Sequence, residues 1–134
     1  PLQSAGSHKA CILVIDDEQD VLDSIASLLD AYGYQAVTAQ SKRQALDNLE
    51  TLSRNPDIII ADYRLGEGEN GNDAINEICK VRGTNIPGIL LTGDTAPGRI
   101  ASAARSGFSL LHKPIDHVEL VTAIQEQLAY TRSA

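Results

Sequence analysis

The sequence predicts an α/β fold in which parallel strands alternate with helices, five of each, a (βα)5 arrangement. Short apolar runs recur along the chain, and segments with helical spacing of apolar residues separate them. Each run ends on a polar side chain, and open α/β sheets bind their ligands at the carboxyl edge of the strands. The residues that end four of these runs are Asp16, Asp62, Thr92 and His112.

The first part of the chain predicts two strands and two helices. The first strand covers Ala10 to Ile15, and Asp20 is predicted to cap the helix that follows. The stretch 34–39 alternates in polarity and predicts a more exposed strand. Ser41 and Gln44 form a capping-box pattern at the start of the second helix. The inward residues expected from helical spacing are Val21, Leu22, Ile25, Leu28, Leu29 and Tyr32, then Ala45, Leu46, Leu49 and Leu52.

The middle of the chain predicts the central strand, from Asp57 to Ala61, which runs directly into Asp62. Its three consecutive isoleucines favour a strand that is buried on both faces. An acidic, glycine-rich loop follows at 66–71. The next helix is predicted to end near Gly83, with Ala74, Ile75, Ile78 and Val81 facing inward.

The last part of the chain predicts two more strand–helix units. The fourth strand covers Ile86 to Leu91, and Asp94 or Thr95 is predicted to open a weakly apolar helix. The fifth strand covers 108–111, and Asp116 with Glu119 is predicted to cap the last helix. The inward residues expected on that helix are Val118, Val121, Ile124 and Leu128.

Composition excludes several classes of protein. The chain has 134 residues, enough for one domain, and a formal net charge of −7. This acidic balance argues against direct binding to nucleic acid, and we expect no membrane contact by this domain. The two cysteines lack metal-ligand spacing and are expected to be free thiols of a cytoplasmic protein.

The domain is predicted to span residues 10–131. Residues 1–9 are expected to be a disordered linker or an expression remnant, because they are polar and small. The chain contains no methionine, so we expect it to be processed or to come from a longer protein.

The acids at the strand ends predict a metal site. Asp16, Asp17 and Asp62 would form an acidic cluster, and carboxylates this close need a cation. Oxygen ligands with room for water suit Mg²⁺, for which Mn²⁺ can substitute. Thr92 and Lys113 offer a hydroxyl and a positive charge to phosphate oxygens. One carboxylate could then attack phosphorus; the residues do not decide which, and Asp62 is favoured because adjacent Asp16 and Asp17 suit the metal.

These motifs also resemble the receiver domain of two-component response regulators. The resemblance covers about Ala10 to Tyr130 and implies a flavodoxin-like three-layer sandwich with a five-stranded parallel sheet in the order 2-1-3-4-5. It implies that Asp62 accepts a phosphoryl group from a phosphohistidine and that the Lys113–Pro114 peptide is cis. The metal ligands that it implies are Asp17, Asp62 and the backbone carbonyl of Arg64, with Asp16 holding the metal through water. The phosphoryl-binding side chains that it implies are Thr92 and Lys113.

Some positions depart from the usual receiver pattern. Leu110 lies three residues before the lysine, where receivers commonly carry a tyrosine or phenylalanine that moves on phosphorylation. Phe108 lies upstream instead, which places an aromatic switch of the usual kind in doubt. Arg64 and Asp94 each lie two residues beyond a site residue. We predict that they pair across the mouth of the site and limit the approach of water; the alternative is that both are solvated charges at its rim.

The sequence therefore predicts a phosphoacceptor receiver domain that signals by conformational change. We expect self-phosphorylation and autodephosphorylation but no metabolic turnover, and the partner to be a histidine kinase or a histidine phosphotransfer domain. The motifs favour an origin in a hybrid sensor histidine kinase, whose other parts could be attached to a membrane. Alternatives are a stand-alone response regulator, a Mg²⁺-dependent aspartyl phosphohydrolase and a silent interaction module. Homodimer formation is left open.

Overall fold

Five parallel strands form one sheet. The computed structural model describes residues 9–52, 54–66, 68–93 and 108–133, with side chains to residue 129. The strands are β1 (Cys11–Ile15), β2 (Gln35–Ala39), β3 (Ile58–Asp62), β4 (Gly88–Thr92) and β5 (Ser109–His112). Their order in the sheet is β2-β1-β3-β4-β5, which confirms the predicted topology.

Helices cover both faces of the sheet. The described helices are α1 (Gln19–Ala31), α2 (Lys42–Glu50), α3 (Gly71–Arg82) and α4 (His117–Ser133). The apolar sides of α1 and α4 pack on one face, and those of α2 and α3 pack on the other. The predicted three-layer sandwich is confirmed. The fourth predicted helix, which would begin at Asp94 or Thr95, lies outside the described residues. The helix labelled α4 here is therefore the fifth predicted one.

Local capping explains where the helices begin. The Ser41 hydroxyl accepts a hydrogen bond from the Gln44 N–H at 3.1 Å, which confirms the predicted cap of α2. Asp116 likewise accepts a hydrogen bond from the Glu119 N–H at 3.0 Å before α4. The predicted cap of α1 was wrong, because Glu18 is the N-cap residue and Asp20 lies in the first turn.

The predicted inward positions fail at the helix ends. Tyr32, Val81 and Val118 are 52%, 58% and 72% exposed, although helical spacing placed them inward. Each lies in or beside the terminal turn of its helix. At the end of α3 the half-buried Arg82 packs inward instead, and its guanidinium donates hydrogen bonds to the Asn55 side chain and the Leu49 carbonyl.

The centre of the sheet holds the acidic end of β3 in place. All residues of β1, β3 and β4 are buried, and the three consecutive isoleucines of β3 predicted this for the central strand. Gly71 begins α3 directly beside β3, and its N–H donates a hydrogen bond to the Tyr63 carbonyl at 2.8 Å. A Cβ atom on Gly71 would clash with the Asp62 carbonyl oxygen, so this close approach requires glycine.

Two further properties follow from the described residues. Both cysteines, Cys11 in β1 and Cys79 in α3, are free thiols. None of the helices that the structure describes combines the length and the apolar composition needed to cross a membrane.

Candidate functional site

The carboxyl ends of the strands bring the predicted site residues to one edge of the sheet. Asp62 ends β3, Thr92 ends β4, and Asp16 directly follows β1. Thr92 lies opposite His112 in the β4–β5 register, and its carbonyl accepts a hydrogen bond from the Lys113 N–H at 2.8 Å. This bond extends the ladder by one residue and positions Lys113 at the same edge.

Lys113 lies between two buried carboxylates. Its Nζ lies 3.0 Å from Asp62 Oδ2 and 3.1 Å from Asp16 Oδ2. The Asp16 side chain is 0% exposed, and the Lys113 side chain is 20% exposed. Two separate strand ends thus share one ammonium group, and the following peptide, Lys113–Pro114, is cis as predicted.

Burial and charge shift the pKa values of this group. Burial raises the pKa of Asp62, and the nearby Asp16 carboxylate raises it further, while the hydrogen bond from Lys113 opposes the rise. Burial also lowers the pKa of Lys113, but hydrogen bonds and charge from Asp62 and Asp16 outweigh it, so this pKa is raised. Lys113 divides its charge between two carboxylates, so its pairing with Asp62 does not offset the effect of burial on the pKa of Asp62, whereas the two carboxylates together do offset it for Lys113.

Three carboxylates at this edge have the chemistry of metal ligands. One oxygen each from Asp16, Asp17 and Asp62 can be chosen so that all three lie within 4.8 Å of one another. Asp17 is exposed, whereas both oxygens of Asp16 already accept hydrogen bonds, from the Glu18 N–H at 2.9 Å and from Lys113. An all-oxygen set that is open to solvent on one side fits Mg²⁺, which retains water ligands.

The loop after β3 folds back over this edge. The Arg64 N–H donates to Asp62 Oδ1 at 3.3 Å, and Arg64 forms an isolated antiparallel bridge with Asn70. Within the loop, Leu65 and Glu69 are joined by a backbone hydrogen bond of 3.0 Å. A Cβ atom on Gly66, which has a φ of 75°, would lie 3.4 Å from Asp17 Oδ2. The loop backbone therefore lies against the exposed side of the acidic cluster.

The positions predicted to modulate the site are only partly described. Leu110 is half-buried, lies opposite Leu90, and packs against the core on the α2–α3 face. Phe108 packs on the same face, close to Gly88, which begins β4, whereas Thr92 ends it. The aromatic ring therefore lies away from Thr92. Asp94 lies outside the described residues, so its pairing with Arg64 stays a prediction.

Glu18 also lies at this edge, and its role was not predicted from the sequence. Glu18 Oε1 lies 3.8 Å from Lys113 Nζ. The signal was present as three consecutive acids, Asp16 to Glu18, after an apolar strand. Sequence spacing could not show that Glu18 lies near a lysine 95 residues further along the chain, because the two residues meet only when β1 and β5 are part of the same folded sheet.

Comparisons with known proteins agree with this geometry. The family model for the response regulator receiver domain matches residues 12–125. A crystal structure of a receiver domain from Clostridium thermocellum is 30% identical, with a TM-score of 0.79, over 92% of this chain and 97% of that chain. A signal receiver domain from Pseudomonas fluorescens is 29% identical, with a TM-score of 0.81, over 95% of this chain and 100% of that chain.

Curated relatives are longer than this chain. The transcriptional regulatory protein GlrR of Escherichia coli is 34% identical over 96% of this chain, which spans 28% of that protein. The CAI-1 autoinducer sensor kinase/phosphatase CqsS of Vibrio cholerae is 32% identical over 92% of this chain, which spans 18% of that protein. From the family match, the sheet and the acidic edge together, the chain belongs to the response regulator receiver domain family.

Proposed function

We propose that the domain accepts a phosphoryl group from a phosphohistidine onto Asp62 in the presence of Mg²⁺. The observation that carries this proposal is the position of Asp62 at the end of β3, 3.0 Å from Lys113 and beside two further carboxylates. Receiver domains interact with histidine kinases or phosphotransfer proteins, and they generally bind Mg²⁺ at an acidic pocket.

The side chains divide the chemistry among them. An Asp62 oxygen attacks phosphorus, the new O–P bond forms, and the P–N bond to imidazole breaks, with the imidazole nitrogen taking up a proton. Lys113 pairs with the phosphoryl oxygens, and Thr92, buried at the end of β4, offers them its hydroxyl. Asp16, Asp17, Asp62 and the Arg64 carbonyl would hold Mg²⁺, which neutralises phosphoryl charge when bound.

The partner is a helix that carries the phosphohistidine. A groove of about 250 Å³ opens between α1 and the segment after Lys113–Pro114, with Val21, Ile25, Leu28 and Ile115 as its apolar lining. Because Ile115 follows the lysine by two residues, a helix seated there would present its histidine towards Asp62.

A substitution in this groove tests the docking role. Ile115→Asp should keep its rate of phosphorylation by small donors but lose at least tenfold in the rate of transfer from a phosphorylated histidine kinase. An equal loss with both donors would contradict the docking role.

The parent protein is a hybrid sensor histidine kinase in this proposal. The sequences around Asp62, Thr92 and Lys113 resemble receivers fused to kinases, and CqsS is a sensor kinase. Other relatives are transcriptional regulators, so a stand-alone response regulator is the alternative. The gene sequence on both sides of this chain decides between them. A cytoplasmic location, supported by the two free thiols, belongs to either origin.

Intact mass spectrometry tests the central step. Incubation with phosphoramidate and Mg²⁺ should add one phosphoryl group to the wild-type protein, and hydroxylamine should remove it as it removes acyl phosphates. Asp62→Asn should form no adduct, and a chelator should abolish adduct formation. Asp57→Asn is the matched control, because Asp57 lies just before the other end of the same strand.

The alternatives predict different outcomes. A phosphohydrolase would turn over phosphoesters steadily without an adduct, and a silent module would show neither adduct nor turnover. An adduct on Asp62→Asn equal to that on the wild type would place the phosphoryl group elsewhere and overturn the proposal.

A further inference from the structure

Glu18 occupies a helix N-cap position but does not act as a cap. Its backbone is extended, with φ −99° and ψ 115°, and its side chain makes no hydrogen bond to the first turn of α1. Serine, threonine, aspartate and asparagine are preferred at such positions because their short side chains reach the exposed N–H groups. The carboxylate of Glu18 therefore caps none of the N–H groups of α1.

The Glu18 side chain lies close to Lys113 instead. Its Oε1 is 3.8 Å from Lys113 Nζ, and its own N–H donates to Asp16 Oδ1 at 2.9 Å. Asp16 thus binds the Glu18 backbone with one oxygen and Lys113 with the other. Because the Glu18 side chain is 67% exposed and Asp16 is fully buried, Glu18 supplies the outermost negative charge around the lysine.

We propose that Glu18 is a positioning residue for Lys113 that disfavours small anionic phosphoryl donors. Its charge repels a free acyl phosphate, and its attraction for Lys113 competes with the incoming phosphoryl oxygens. A donor carried on a protein helix gains binding energy from the groove along α1, which offsets this barrier. Glu18 thereby reserves Asp62 for protein-bound phosphohistidine. This inference rests on the proposed function.

Acetyl phosphate is the probe for this role. Asp62 attacks its phosphorus, the O–P bond to Asp62 forms, the P–O bond to acetate breaks, and acetate leaves with the electron pair. At saturating Mg²⁺ and low ionic strength, Glu18→Gln should form the adduct about fivefold faster than the wild type. Added salt should reduce the ratio of the two rates towards one, because mobile ions screen exposed charges.

Two further variants separate charge from structure. Glu50→Gln makes the same chemical change on an exposed residue at the end of α2, at the opposite edge of the sheet, and should leave the rate unchanged. Glu18→Ser also removes the charge but supplies a helix cap. It should react as fast as Glu18→Gln while its melting temperature rises by about 4 °C, so a loosened fold would not explain the faster rate.

The outcomes distinguish this inference from the proposal beneath it. If neither the wild type nor Glu18→Gln forms an adduct, the proposed function is overturned and this inference with it. A wild-type adduct together with an unchanged or slower rate in Glu18→Gln overturns the role of Glu18 alone. An equal acceleration in Glu50→Gln would also overturn it, because net charge would then explain the effect.

Discussion

The two edges of the sheet use charged side chains in different ways. At the amino edge, Asp57 Oδ2 accepts a hydrogen bond from the buried Cys11 N–H at 2.8 Å and pairs with Arg54. That ion pair is half-exposed, and one carboxylate meets one guanidinium. At the carboxyl edge, the buried carboxylates of Asp16 and Asp62 share Lys113.

The difference shows which edge serves stability and which serves chemistry. At the amino edge the Asp57 carboxylate accepts a backbone hydrogen bond from β1, and water screens its ion pair with Arg54. At the carboxyl edge negative charge exceeds positive charge among the described residues, and the pKa of Asp62 is raised, chiefly by burial and further by the Asp16 carboxylate. A buried surplus of carboxylates is unfavourable without a cation. The contribution of these residues to folding stability therefore depends on whether a cation is bound.

Removal of the shared lysine should have the largest effect. Lys113→Met leaves Asp16 and Asp62 without their ammonium partner and should lower the free energy of unfolding by about 3 kcal/mol, measured by urea denaturation. Phosphorylation of Asp62 should slow by about 100-fold, because a charge that stabilises the transition state is lost. Mg²⁺ should stabilise the variant more than the wild type, since a cation then replaces the missing charge.

Arg54→Met is the matched change at the amino edge. Its half-exposed pair should contribute less than about 1 kcal/mol, with no response to Mg²⁺. Equal losses in the two variants would contradict the contrast between the edges.

The sequence contained most of this arrangement because strand ends and burial follow from local pattern. Three isoleucines before Asp62 predicted a buried strand, and the parallel topology then brought Asp16, Thr92 and Lys113 to its end. Helical periodicity likewise identified the middle of each helix, where the sheet covers one side, as with Ile75 in α3.

Prediction from the sequence failed for positions whose environment is set only by the folded structure. Tyr32, Val81 and Val118 follow helical spacing, yet each lies in or beside a terminal turn and is exposed. The contacts of Asp57 with Cys11 and of Glu18 with Lys113 join residues far apart in sequence. No local pattern encodes such pairs, because the sheet creates their proximity.

Loss of the amino-edge carboxylate should have an intermediate effect. Asp57→Ala leaves the buried Cys11 N–H without its acceptor and should lower the free energy of unfolding by about 1.5 kcal/mol. Asp57→Asn keeps an acceptor oxygen and loses only the ion pair, so its loss should be about 0.5 kcal/mol. Thermal and urea unfolding of both variants measure the difference, and phosphorylation of Asp62 should persist in each. Equal destabilisation would mean that the charge, not the hydrogen bond, matters at this edge.

The smallest effect should appear as a dependence on pH at the carboxyl edge. The folded-state pKa of Asp62 is raised, so the ionised carboxylate costs stability at neutral pH, and this cost disappears as pH falls through the raised pKa. Asp62→Asn, which keeps the shape without the charge, should therefore be more stable than the wild type at neutral pH. The difference should shrink on acidification and vanish below the ordinary range of an aspartate.

Urea denaturation of both proteins across this range, without Mg²⁺, measures the difference directly, since the other carboxyl groups are common to both. Lys113 stays charged throughout, because its own pKa is raised, so its titration does not contribute. If the wild type were instead the more stable protein at neutral pH and lost this advantage on acidification, the Asp62–Lys113 pair would outweigh burial, and the carboxyl edge would stabilise the fold as the amino edge does.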